Sequence, residues 1–168
     1  MKKLPSDGSA SFRVYQLQQV STSVQAQMWR LRKRAIWGSW TPHYPVHALA
    51  AWATPSSTRF AGLMTKGGAV IAEQDGVLWG YAMLDMSNGE IESLFVEPLY
   101  QGRGVGQALM RSLDEMAASH GVQYLFAYAS LNARRFFQRA GFTFEREQDH
   151  EHHSGATLRV AFMAKALR

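Results

Sequence analysis

The 168-residue chain has no cysteine, which excludes a thiol nucleophile, a thiolate zinc site and any disulfide frame. Proline is sparse, at five, and no window reaches the roughly 18 apolar residues that a membrane span needs. The N-terminus, Met1-Lys2-Lys3-Leu4-Pro5-Ser6-Asp7-Gly8, has two charges with no apolar stretch behind them, so it does not read as a signal peptide. There is no internal repeat and no low-complexity segment. These absences predict a soluble, cytoplasmic protein with a disordered N-terminus over 1–10 and one domain over 11–168.

Hydrophobic residues make up 46% of the chain and charged residues 18%, and the aromatics are 5 Trp, 6 Tyr and 9 Phe. That is enough bulk for a core and for an apolar pocket as well. The net charge of +5 favours anionic ligands, phosphates, nucleotides or nucleic acid, without choosing among them. A basic run, Arg30, Arg32, Lys33 and Arg34, reads as a solvated helix face. With no interleaved aromatic reader and no known motif beside it, nucleic acid is not the expected partner.

Periodicity orders the chain. Ser11 to Leu17 predicts a strand. Val20, Val24, Met28, Leu31 and Ala35 recur at helical spacing, and a short helix is expected over His47 to Ala53 before Pro55. From Ala69 the period falls to two, and Asp75-Gly76 and Asn88-Gly89 mark turns in a meander ending at Val96. Val105, Ala108, Leu109, Ser112, Leu113, Met116 and Ala117 form a helical stripe closed by His120-Gly121. A strand over Val122 to Ala129 follows, then a helix with Ala133, Phe136, Phe137 and Ala140, and strands over Phe142 to Glu147 and Leu158 to Ala164. The order predicts an α/β fold with a mixed, mostly antiparallel sheet of about seven strands and four helices.

Gln101-Gly102-Arg103-Gly104-Val105-Gly106 joins a strand to a helix. Alternating glycines there let backbone N–H groups approach a ligand, and the helix N-terminus favours negative charge, so a diphosphate suits the turn. The spacing is neither that of a dinucleotide-binding turn nor that of a P-loop.

The run from Leu94 to Gly106, with Ala133, Phe136, Phe137 and Gly141-Phe142 downstream, resembles the GNAT superfamily of acyl-CoA-dependent N-acetyltransferases. Tyr44, Ala51-Trp52 and the Phe136-Phe137 pair resemble a bacterial-type subgroup in which Phe-Phe replaces the usual aromatic-Tyr. The resemblance implies that acetyl-CoA is the cosubstrate and that the backbone of Gln101, Gly102, Arg103, Gly104, Val105 and Gly106 holds its pyrophosphate. It further implies that Leu94, Phe95 and Val96 pair with the pantetheine arm, with one of their N–H groups facing the thioester carbonyl. Ser130 stands where relatives have a cofactor-binding Asn, and Asn132 is the expected substitute. Phe137 stands where relatives have the Tyr that protonates the departing thiolate.

Amide formation needs a neutral amine, yet a primary amine with a pKa of about 10.4 is protonated at pH 7. Glu90 and Glu92, two apart on a strand, share a face. Glu90 aligns with the base position in part of the family, so either carboxylate is a candidate to take the proton, directly or through water. Tyr128 is the candidate replacement for the acid missing at Phe137. His150, His152 and His153, with Asp149 and Glu151, are expected in a solvated loop between the last two strands rather than at a metal. Trp37, Trp40, His43, Tyr44 and Trp52 are candidates to line an acceptor pocket.

The leading expectation is transfer of an acetyl group from acetyl-CoA to a primary amine of a small molecule through a tetrahedral intermediate, with no metal, no membrane partner, and room for a homodimer. A non-catalytic acyl-CoA-binding module, motivated by Phe137, is the alternative.

Overall fold

The computed structural model describes residues 11–39, 44–54 and 57–168, so the expectations for residues 1–10, for Trp40 and for His43 lie outside the described residues. The first strand, β1 (Arg13–Gln16), is shorter than expected. It is followed by helices α1 (Thr22–Gly38), α2 (Val46–Ala53) and α3 (Ser57–Thr65). The meander β2 (Ala69–Gln74), β3 (Val77–Asp85) and β4 (Glu90–Val96) leads through the glycine turn to α4 (Val105–Ser119). Then come β5 (Tyr124–Ser130), α5 (Arg134–Arg139), β6 (Thr143–Glu151) and β7 (Thr157–Ala166).

Five helices stand where four were expected. The addition is α3, whose Phe60, Leu63 and Met64 are buried at helical spacing; Gly62 and the Gly67-Gly68 pair obscured that stripe in a propensity reading. A second departure concerns β6. It continues through Asp149, His150 and Glu151 instead of ending near Glu147, with His150 paired to Leu158 and Gln148 to Val160. Pairing with apolar positions of β7 overrides the polar composition that suggested a loop.

The seven strands run in the order β1-β2-β3-β4-β5-β7-β6. All neighbours are antiparallel except β4 and β5, which are parallel and share a single register pair, Glu90 with Phe126. The Asp75-Gly76 turn has positive φ at both residues, 51° and 78°, the primed hairpin geometry that this dipeptide favours.

Both faces of the sheet are covered, so β2 is a continuous buried run with few polar interruptions. Val70, Ala72, Ala82 and Leu84 pack under Val105, Leu109, Leu113 and Ala117 of α4. On the opposite face Ala69, Ile71, Tyr81 and Met83 pack against Met28 and Leu31 of α1 and Phe60 and Leu63 of α3. Each fully buried Leu among them is worth about 1.5–3 kcal/mol.

One irregularity positions chemistry. Met83 pairs with Ser93 and Leu84 with Ile91, which leaves Glu92 as a bulge. An extra residue resets the alternation of a strand. Glu92 and Ser93 therefore both serve the α1 side, while Leu94 and Val96 turn to the α4 side and Phe95 packs toward α1.

Candidate active site

The single rung between β4 and β5 lets the two strands part toward their C-terminal ends. Two cavities of similar size open there. The first, about 450 Å³, is lined by Leu94, Phe95 and Val96 of β4, by the turn and first residues of α4, and by Ser130, Asn132 and Phe137. The second, about 470 Å³, is lined by Glu90 and Glu92 of β4, Tyr128 of β5, His150 of β6 and the hairpin after it. Trp52 of α2 borders both. Two residues along each strand separate the linings, Glu92 from Leu94 and Tyr128 from Ser130, or about 7 Å at the rise of a strand.

The glycine turn is made for close approach. Gly102 and Gly104 take φ of 75° and 81°, a conformation that side chains disfavour, and a Cβ at either position would project into open space. Gly104 is also the N-cap of a 15-residue helix, whose first amides have no intrahelical acceptor. The bend is anchored from outside. Glu97, 8% exposed, accepts from Arg34 of α1 at 2.7 and 2.9 Å, a pairing that raises the guanidinium pKa above its ordinary value.

Gln101, Gly102, Gly104, Val105 and Gly106 line the first cavity as expected. Arg103 does not: its guanidinium lies over Tyr100 and Trp79, 5.6 and 5.8 Å from the ring centroids, and those two rings are themselves stacked. Gly106 has a packing role, because a Cβ there would stand 2.9 Å from the Phe136 ring. Phe137 is buried, packs edge-on against Phe136 and Phe142, and also borders the cavity.

The acceptor-pocket candidates divide. Tyr44 is buried at the first cavity; its hydroxyl donates to the Arg159 carbonyl and accepts from the Leu131 N–H at 3.1 Å, and burial raises its pKa. Trp52 packs edge-on against it. Trp37 is 38% exposed and lies in a separate groove with Trp29 and Lys33.

In the second cavity Glu90 and Glu92 do share a face. Glu90 Oε2 accepts from Arg59 of α3 at 2.6 Å, and Glu92 accepts from the Ser93 hydroxyl. Arg32, expected on a solvated face, is instead only 3% exposed. It donates to the Trp52 carbonyl at 3.1 Å and to Ser93 Oγ at 3.2 Å, and its guanidinium lies 4.8 Å from the Phe95 centroid. Position on the inner side of α1 decides its burial, and hydrogen bonds make that burial tolerable. Beside it the wholly buried Tyr81 has its pKa pushed up to about 12 by loss of water, so it stays a neutral phenol.

His150 and His152 also enter this cavity, against the expectation of a solvated loop. The His150 ring stacks on Tyr128 with centroids 4.3 Å apart. Burial lowers the pKa of both imidazoles, that of His152 to about 4 with help from the positive charge of His153 and Arg32. No group of three or more His, Asp or Glu that could hold a metal ion occurs among the described residues. Nor is any helix among them long and apolar enough to cross a membrane.

Of the charged and titratable groups of this cavity, Arg32 was expected on a solvated helix face and His150 in a solvated loop, and Arg59 carried no expectation; for His150 a signal existed. An alternating pattern across Gln148, His150 and His152 was the available signal, and it becomes visible only once β6 is known to extend past Glu147.

Residues 29–142 match the Acetyltransferase (GNAT) family. An uncharacterized N-acetyltransferase of Escherichia coli, YafP, is 29% identical over 115 residues, 68% of this chain and 72% of that protein. An uncharacterized N-acetyltransferase of Mycobacterium tuberculosis is 35% identical over 97 residues, 52% of this chain and 61% of its own length. Among solved structures, a GCN5-related N-acetyltransferase from Rhodopseudomonas palustris superposes with a TM-score of 0.79 at 27% identity, covering 94% of this chain and 95% of that one. The PaiA N-acetyltransferase of Thermoplasma acidophilum, solved with coenzyme A, gives 0.71 at 14% identity, covering 93% and 99%. The parted strands, the glycine turn and these likenesses agree: the chain belongs to the GNAT family of acetyltransferases, which transfer acyl groups from acetyl-CoA.

Proposed function

We propose that this protein transfers an acetyl group from acetyl-CoA to a primary amine of a small molecule by direct attack, with the cosubstrate in the first cavity and the amine in the second. The observation that carries this reading is the placement of the two cavities side by side where β4 and β5 part, with Trp52 bordering both. One cavity offers backbone amides and open space over Gly102 and Gly104, which suits a diphosphate. The other offers the carboxylates of Glu90 and Glu92, which suit an ammonium ion.

Acetyl-CoA supplies the activated acyl group. Leu94, Phe95 and Val96 present a strand edge to its extended arm, as β-augmentation does for a peptide, with Ser130 and Asn132 on the facing side. A β4 N–H serves as partner for the oxyanion, needing no side chain. The ammonium is drawn in by the negative charge of Glu90 and Glu92 and gives up its first proton to Glu92 or to a water beside it. Phe137 has no proton to give, but a thiol of pKa about 8.5 leaves tolerably near neutral pH, so its lack of a hydroxyl slows turnover without preventing it. Tyr128 borders the amine's cavity and is the phenol proposed to protonate the leaving group.

The test is release of free thiol from acetyl-CoA with a panel of primary amines, alongside calorimetry of acetyl-CoA binding. Binding with amine-dependent thiol release supports the enzyme. Binding with no thiol release for any amine supports a non-catalytic acyl-CoA-binding module, and absence of binding removes both.

A further inference from the structure

We propose that His150 is a catalytic residue of this site: it takes the second proton from the reacting nitrogen. The inference rests on the acetyl-transfer reading above and concerns one step of it.

An ammonium acceptor must lose two protons to become an amide nitrogen. The first leaves before attack. The freed lone pair then forms the N–C bond while the carbonyl π electrons move to oxygen, and the nitrogen of the adduct carries a positive charge and a surplus proton. Removal of that proton lets the oxygen electrons return and the C–S bond break, with the sulfur leaving as thiolate and taking a proton from Tyr128 or from water. A base is needed beside the nitrogen at this stage.

The carboxylates of the second cavity are already committed. Glu90 is bound by Arg59, and Glu92, which accepts from Ser93, is the group that has served the first proton, directly or through its water. The imidazole of His150 is held differently. Its face is fixed against the Tyr128 ring, its strand is fixed by pairing with Leu158, and neither ring nitrogen is hydrogen-bonded among the described residues. A stacked ring with its edge open to a cavity is oriented to receive a proton.

The surroundings set its charge state. Glu90 from β4 favours the imidazolium, Arg59 from α3 opposes it, and burial outweighs both. Glu92 from β4, Arg32 from α1 and Glu151, His152 and His153 of its own hairpin also border the cavity, while β7 contributes the apolar Leu158 and Val160. His150 is thus neutral near pH 7, the form that accepts a proton.

Thiol release is measured with acetyl-CoA and whichever amine of the panel reacts fastest; if none reacts, the acetyl-transfer reading falls and the role of His150 with it. His150→Gln is expected to lower kcat about 10²-fold, with acetyl-CoA affinity within about twofold of the parent. The parent kcat falls as pH drops through a value below 6.5, and His150→Gln abolishes that limb. In His150→Ala, added imidazole restores turnover, which repacking alone would not do. A His150→Gln protein that keeps parental kcat and its acid limb, or an Ala variant that imidazole does not rescue, overturns the assignment of His150 and leaves the acetyl-transfer reading standing. Failure of the parent to bind acetyl-CoA overturns that reading and, with it, the role of His150.

Discussion

The two cavities are nearly equal in volume and are built from different materials. The first joins an apolar wall, with Ile36, Leu49, Trp52 and Phe137, to exposed backbone: a parted strand edge, a turn with left-handed glycines and a helix N-terminus. The second is bounded by side chains that titrate or carry charge, brought from α1, α3, β4, β5 and β6. Backbone amides suit one invariant shape, which is what the proposed cosubstrate would present at every turnover. A side-chain site can change its ligand by exchanging a few residues without disturbing the strands. The comparison teaches that cosubstrate binding and acceptor chemistry should fail independently.

The largest expected departure tests that independence from the acceptor side. Glu92→Gln should lower turnover about 10²-fold while acetyl-CoA affinity, measured by calorimetry, stays within about twofold. A parallel loss of affinity would show that the bulge supports both cavities as one unit.

Next in size is a stability effect at the wall of the second cavity. Arg32→Met keeps the length of the side chain and deprives the Trp52 carbonyl and Ser93 hydroxyl of their donors, so denaturant unfolding should show a loss of about 1–3 kcal/mol. Retained acetyl-CoA binding in the folded variant would confirm that its effect belongs to the second cavity.

From the cosubstrate side, Gly104→Val places a β-branched residue at φ 81° and covers the amides of the turn. Acetyl-CoA binding should weaken about tenfold, roughly 1.4 kcal/mol, with the fold intact by circular dichroism. Unchanged affinity would sink the backbone cradle.

The smallest effect is on stability against pH. His152 has its pKa lowered from 6.5 to about 4 in the folded protein, so the unfolded chain binds the extra proton first, and stability falls as pH drops from 6.5 toward 4. Above pH 6.5 this contribution is constant. His152→Gln should flatten the acid side of a melting-temperature profile, and an unaltered slope would remove His152 from the account.

The same contrast explains what could be read from sequence. The glycine turn and the meander are local: Asp75-Gly76 and the alternating glycines from Gly102 state their own geometry within a few residues. So do the α4 stripe and the pairing of Glu90 with Glu92 on one face. Arg32 could not be read, because its burial depends on Ser93 and on the Trp52 carbonyl, 61 and 20 residues away. Neither could His150, whose strand is held by β7 and whose ring is held by β5. The placement of the Arg103 side chain was hidden for a related reason: Tyr100 is three residues away, but the Trp79 ring on which it stacks comes from β3, 24 residues earlier.

The lone rung between β4 and β5 also divides the sheet into two mechanical units, β1 to β4 and β5 to β7, whose strands are joined in hydrogen bonds, among the described residues, only near Gly89, Glu90 and Phe126. Inside each unit the ladders run for many residues, so their amides should exchange with deuterium slowly and together. Along the seam between them, the β4 amides past Glu90 that face β5 have no strand to bond and should exchange far faster. A ligand that pairs with that edge acts as the missing strand, and its signature would be slowed exchange confined to residues 94–96, spliced between two blocks that were already slow.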